Sequence, residues 1–175
     1  MEDAPSWAKG VAAGLHHAAI TDVVYVPDNP LAHVLRELEH DPAIQTILAT
    51  REEEGMGIAA GLYLGGRRPA VMMQSSGLGN AVNALASLVV PYQIPLPILI
   101  SMRGETGEWN VVQVPMGRAA RSILGGLGIQ SFVPERSEDV AATVEGVARF
   151  ALTTRVPTAC LVPRRIIDAS SGTAR

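Results

Sequence analysis

The feature that most constrains this chain is a rhythm: short runs of β-branched and other apolar residues alternate with longer, Ala-rich segments of helical spacing. A parallel sheet covered by helices requires that alternation, because parallel neighbours are joined by crossovers that pack on the sheet. Strands are predicted over Asp22–Val26, Ile44–Ala49, Pro69–Gln74, Pro97–Met102, Gln130–Val133 and Thr158–Val162. Most are too apolar to turn either face to water. Leu31, Val34, Leu35 and Leu38 recur at helical spacing, with Asn29 as the predicted N-cap and Pro30 in the first turn. Val140, Val144, Val147, Ala148 and Ala151 repeat the pattern after Ser137, with Glu138 and Asp139 where the helix dipole favours acids. Further helices are expected over Trp7–Ala19, Glu52–Leu64, Leu78–Val90 and Gly117–Gly125. The expected architecture is α/β: one doubly wound domain over residues 1–168, with a roughly six-stranded parallel sheet flanked by helices. The tail from Ala169, with its Ser-Ser-Gly, is expected to be disordered.

Of the 175 residues 47% are apolar, enough for a core without disulfides or metal. With 14 Lys+Arg against 17 Asp+Glu and no basic block, the chain lacks the footprint of a nucleic-acid binder. Pro91, Gln93, Pro95 and Pro97 break its longest apolar stretch short of the about 18 residues that span a bilayer. The acidic start, Met1-Glu2-Asp3, is unlike a secretory signal, and the single cysteine, Cys160, reads as a small buried hydrophobe. Both features predict a cytoplasmic protein.

Chemistry is expected where the strands end, as in open α/β sheets generally. After the second strand, Glu52, Glu53 and Glu54 open a helix whose dipole they suit. Gly55, Gly57, Ala59, Ala60 and Gly61 follow, and helical glycines predict a surface packed closely against something. Glu52 shares a face with Gly55, Met56 and Ala59, and Glu53 with Gly57 and Ala60. A carboxylate on an apolar face is suited to share a proton with a ligand nitrogen. After the third strand, Gln74-Ser75-Ser76-Gly77-Leu78-Gly79-Asn80 forms a Gly-rich turn into a helix. A dinucleotide fingerprint fails at Val82, a P-loop lacks its Gly-Lys-Ser/Thr, and a nucleophile elbow would need glycine at Gln74. What remains is a tight loop with exposed amides and an Asn80 able to cap the helix or hold a ligand; a purely structural turn fits the residues equally well. Arg103, after the fourth strand, is placed to hold an anion or to pair with Glu105. His16, His17, His33 and His40 do not combine with cysteine or carboxylates at metal-ligand spacing, so no metal is assigned.

Taken together, Arg51-Glu52 with Ala59-Ala60-Gly61, the Gln74–Asn83 stretch, Ile94-Pro95 and Ser101-Met102-Arg103-Gly104 resemble the pyrimidine-binding domain of thiamine-diphosphate enzymes. Within that family the likeness is to alpha subunits of sulfopyruvate decarboxylase and to phosphonopyruvate decarboxylase, over about Val11–Ile167. The resemblance implies that the glutamate nine residues before Gly61, which is Glu52, contacts the cofactor's aminopyrimidine, with Glu53 as the adjacent alternative. It implies that Gly77, Leu78, Gly79 and Asn80 lie by the cofactor, that Asp28 and Asn29 line the substrate, and that Gln113 faces the reacting centre. Arg103 or Arg118 would meet the substrate's anionic group, although Met102 stands where the family often has tryptophan. The family holds magnesium and the diphosphate through Gly-Asp-Gly/Ser and a later Asn, and this sequence has no Gly-Asp. The implied assembly is therefore a hetero-oligomer with a beta subunit carrying that motif, the chain alone being inactive. The implied reaction is decarboxylation of sulfopyruvate to sulfoacetaldehyde, in coenzyme M biosynthesis or sulfonate metabolism. Phosphonopyruvate is the alternative substrate; a non-catalytic homo-oligomer of the same fold and a nucleotide-binding module built on Gly77–Asn80 are the alternatives of other classes.

Overall fold

In the computed structural model, which describes residues 4–169, the strands are β1 (Asp22–Tyr25), β2 (Gln45–Leu48), β3 (Pro69–Gln74), β4 (Pro97–Ser101), β5 (Gln130–Phe132) and β6 (Thr158–Val162). All pair in parallel, in the order β2-β1-β3-β4-β6-β5. β4 and β6 are buried throughout, and β3 up to Gln74. The edge strands β2 and β5 reach solvent, which is why Leu48 and Phe132 are exposed.

Side chains alternate between two cores, as the pleat demands. Val23, Met72, Leu99 and Cys160 face α1 (Ser6–His17), α2 (Leu31–Leu38) and α6 (Val140–Thr154). Val24, Val71, Met73, Ile98 and Leu161 face α3 (Glu52–Leu64), α4 (Leu78–Ala84) and α5 (Val114–Gly126). The glycines of α1 let it lie on α6: a Cβ at Gly14 would come within 2.6 Å of the Ala141 carbonyl oxygen. From β1 the chain crosses outward to β2, whereas from β3 it crosses the other way to β4. The sheet therefore reverses between β1 and β3, opening a crevice beyond their C-terminal ends.

Several local expectations are corrected. The helix predicted to Val90 ends as α-helix at Ala84 and continues as a π turn over Leu85–Val89, closed by the Val90 amide on the Leu85 carbonyl. Helix α5 begins at Val114 rather than Gly117, because Pro115 suits a first turn and a 3-10 turn, Val111–Gln113, leads into it. Asn29 does not cap α2: its side chain makes no cap bond, and the Asp28 carbonyl accepts from the Ala32 amide instead. The close packing expected along α3 does not require its glycines: an added Cβ at Gly55 would make ordinary contact with Val24 and Ala49 at 3.6 and 3.7 Å, and Gly57 and Gly61 face open space. A short helix not expected from the sequence, α7 (Arg164–Ala169), follows β6 and takes in the first residue of the predicted tail; residues 170–175 lie outside the described residues.

Candidate active site

Polar residues stand where otherwise apolar strands run out into the crevice. Gln74, the last residue of β3, lies in register with Ser101, the last of β4. Both turn toward Asp28 in the loop after β1: Gln74 Nε2 donates to Oδ1 at 2.7 Å and Ser101 Oγ to Oδ2 at 2.6 Å. Ser76 Oγ in turn donates to Gln74 Oε1, which fixes the amide's orientation. Three adjacent strands thus hold one carboxylate at the reversal point. Sequence reasoning missed Gln74 and Ser101 as its anchors; the available signal was a polar residue ending each apolar run.

The three consecutive glutamates separate by partner. Glu54 reaches back to the Thr50 amide at 2.7 Å, Glu53 pairs with Arg51 on the surface at 3.2 Å, and Glu52 turns inward, 9% exposed. Arg51, extended at the helix N-cap, aims the first residue of α3 toward the sheet. Asn80 Nδ2 donates to Glu52 Oε2 at 3.0 Å, while Oε1 has no protein donor among the described residues. Gly77 makes the room, since a Cβ there would lie 2.1 Å from Oε1. Its φ of −68° is open to any residue, so space, not backbone conformation, requires the glycine.

Of the amides in the loop expected to present them free, three are engaged within it. The amides of Gly77, Gly79 and Asn80 bond to the carbonyls of Gln74, Ser76 and Gly77, and a carboxylate occupies the bend. A carboxylate at that bend opposes a phosphate, which weighs against the nucleotide-binding reading. Leu78 and Gly79 serve packing: Leu78 is buried, and a Cβ on Gly79 would meet Met116 of α5 at 3.1 Å. Asn29 is exposed at the crevice. Gln113 sits at the head of α5 with its Oε1 buried and without a hydrogen-bond partner, an acceptor left for something else.

Arg103 is corrected. It is not a free cation at a strand end but the partner of Glu108, through Nε at 2.8 Å and Nη2 at 3.1 Å. Arg164 Nη1 reaches the same carboxylate at 2.9 Å, and the amides of Gly104 and Asn110 also donate to it. The Glu108 side chain is 2% exposed, and the Arg103 guanidinium, aided by those amides against the cost of burial, holds its carboxyl down to about 2. This cluster ties the loop after β4 to α7, so Arg103 positions the segment leading to Gln113. Glu105 caps α7 instead, accepting from the Arg164 amide at 2.8 Å. Arg118 lines an open cavity of about 690 Å³ with Gly104, Glu105, Glu108, Val114 and Arg165; Asp28, Glu52 and Asn80 are not among its lining residues. Among the described residues no cluster of three or more His, Cys, Asp or Glu could hold a metal ion, and no helix is long and apolar enough to cross a membrane.

Comparison with known proteins falls on the same segments. The family "Thiamine pyrophosphate enzyme, N-terminal TPP binding domain" matches residues 6–117. The sulfopyruvate decarboxylase subunit alpha of Methanothermobacter thermautotrophicus is 41% identical over 155 residues, covering 89% of this chain and 94% of that one. Its counterpart in Methanocaldococcus jannaschii is 37% identical over 147 residues, covering 84% and 87%. The phosphonopyruvate decarboxylase of Streptomyces viridochromogenes is 32% identical over 163 residues, 91% of this chain but 41% of that protein. Among solved structures, the thiamine diphosphate-dependent 4-hydroxybenzoylformate decarboxylase of Rhodococcus jostii superposes with a TM-score of 0.76 at 22% identity, over 94% of this chain and 30% of that one. The chain spans under a third of that structure, which shows the fold. A match that runs through α3, β3 and the loop after it, joined by relatives alike along almost their whole length, places this chain: it belongs to the thiamine pyrophosphate enzyme family, alongside the alpha subunits of sulfopyruvate decarboxylase.

Proposed function

We propose that this chain is the pyrimidine-binding subunit of a 2-oxo acid decarboxylase that converts sulfopyruvate to sulfoacetaldehyde and carbon dioxide. The observation that carries the reading is the inward Glu52 carboxylate, held on one oxygen by Asn80 and left on the other without a donor beside Gly77. A protonated ring nitrogen would complement that free carboxylate oxygen in charge, and the buried, unpartnered Gln113 Oε1 would offer a second acceptor. Thiamine diphosphate, when bound, supplies the carbon nucleophile and the electron sink for loss of carbon dioxide.

The chain's own residues do the rest. Glu52 holds a proton at the aminopyrimidine nitrogen, with Asn80 fixing the carboxylate's rotation, Gly77 leaving room for it and Gly79 packing on Met116 beside it. Leu78 gives the cofactor loop its buried anchor. Asp28, oriented by Gln74 and Ser101, faces the substrate together with Asn29 and Gln113. Arg103 acts through Glu108, as a positioning residue. The diphosphate and its magnesium ion are assigned to a beta subunit with the Gly-Asp-Gly…Asn motif, in keeping with relatives that are themselves named as alpha subunits. The same reading puts the hetero-oligomer in the cytoplasm, in coenzyme M biosynthesis or sulfonate metabolism.

The test is carbon dioxide release from sulfopyruvate, with phosphonopyruvate and pyruvate as comparators, by the chain with its beta subunit, thiamine diphosphate and magnesium. Selective turnover of sulfopyruvate that disappears without the beta subunit is expected. Preference for phosphonopyruvate would reassign the substrate, and no turnover by a cofactor-loaded complex would overturn the reading.

A further inference from the structure

At the opposite edge of the sheet from Glu52, where the strands begin, four arginines wall an open cavity of about 490 Å³. Arg67 and Arg68 come from the turn between α3 and β3, Arg149 from the last turns of α6, and Arg155 from just beyond it. Tyr63 and Thr153 add polar atoms to the lining.

Two of the four guanidiniums are already fixed. Arg67 forks onto Asp22 through Nε and Nη2, each at 2.8 Å, and Arg149 is held by Glu145 at 2.7 Å and by the His17 carbonyl at 2.9 Å. Arg68 and Arg155 have no carboxylate partner among the described residues. Two carboxylates therefore face four cations, a local excess of positive charge in a chain whose net charge is −3. Helix ends explain part of this, since α1, α3 and α6 all finish here and their carbonyls favour cations. Three helix ends, at about half a negative charge each, and two carboxylates balance most but not all of the four cations. Arg155 holds the left-handed position after α6, at φ +60°, as Ala19 does after α1 at +55°.

We propose that this cavity binds a small diphosphate-type anion, at a site separate from the catalytic crevice. A planar guanidinium matches phosphate oxygens in pairs, the two pinned arginines are preorganised, and the two without partners supply charge for the ligand to neutralise. The volume lies within the about 300–1,000 Å³ usual for small-ligand sites.

The probe is inorganic pyrophosphate, titrated calorimetrically into the full chain, with inorganic phosphate as comparator. One saturable site is expected, tighter for pyrophosphate and weakened by salt. In Arg68→Ala/Arg155→Ala the affinity should fall at least tenfold, whereas Glu52→Gln should bind as the parent does. Both arginines are exposed, so circular dichroism and melting should show an unchanged fold; the single variants Arg68→Gln and Arg155→Gln, each weakening binding severalfold, carry the same test. No saturable binding, affinity unchanged in the arginine variants, or binding lost in Glu52→Gln would overturn the proposal. Because binding is read directly, its failure is distinguishable from a failure of the decarboxylase reading.

Discussion

At the scale of single residues, the carboxylate of Glu52 and the missing side chain of Gly77 form one device. The proposed role makes Glu52→Gln a shape-preserving loss of the proton-holding group, and kcat of the assembled enzyme should fall by about 100-fold or more, the usual reach of general acid–base catalysis, with Tm little changed. Gly77→Ala tests the same device from the other side. Its Cβ would meet the flexible end of Glu52 rather than backbone, so stability should hold while the carboxylate is displaced. A misplacement of that order costs about 100-fold in rate, measured as kcat at unchanged melting temperature. Wild-type rates in Gly77→Ala would detach catalysis from the Glu52 position.

At the scale of elements, glycines of similar sequence context divide by what surrounds them. A Cβ on Gly117 would come within 1.9 Å of the Arg103 carbonyl oxygen, backbone that cannot step aside, so Gly117→Ala should lower stability by about 1–3 kcal/mol in urea unfolding. Gly61, inside α3 with open space around it, should behave in the opposite way: Gly61→Ala is expected to stabilise the chain by about 0.5–1 kcal/mol. The loop between β4 and α5 depends on Glu108. Its carboxyl, held down to about 2 chiefly by Arg103, contributes stability that is fully present above the ordinary carboxylate value near 4.5 and is lost as pH falls toward 2. Glu108→Gln should cost about 3 kcal/mol at neutral pH by leaving Arg103 and Arg164 without their shared anion. The difference from the parent should shrink as pH drops through that window, as read by denaturation at several pH values.

For the whole molecule, the two cores meet across one sheet, and Cys160 lies fully buried on β6, between β4 and the edge strand β5. Burial pushes its thiol up to about 12, so little thiolate forms near neutral pH. Labelling by a thiol reagent should therefore proceed only through global unfolding, and its rate should follow the unfolding free energy across the variants above. Rapid labelling of the folded chain would contradict the packing described. At the same scale the sheet's direction of winding, not any single residue, sets the crevice: the loops after β1, β3 and β4 converge because the order of strands reverses there.

The sequence by itself determined the fold class, the six strands, most helices and the segments that meet at the site, because hydrophobic period and turn chemistry are local and survive in a single chain. It narrowed the acid to Glu52 or Glu53 and singled out the Gly77–Asn80 loop. Only the tertiary structure decided which glutamate turns inward, since that follows from the space Gly77 leaves 25 residues away in the chain and from the Asn80 amide. Likewise the sequence left Arg103 to hold an anion or to pair with Glu105; that it shares Glu108 with Arg164, 56 residues from that carboxylate, follows from the pairing of β4 with β6. Contacts of that kind join residues far apart in sequence, and no local pattern encodes them.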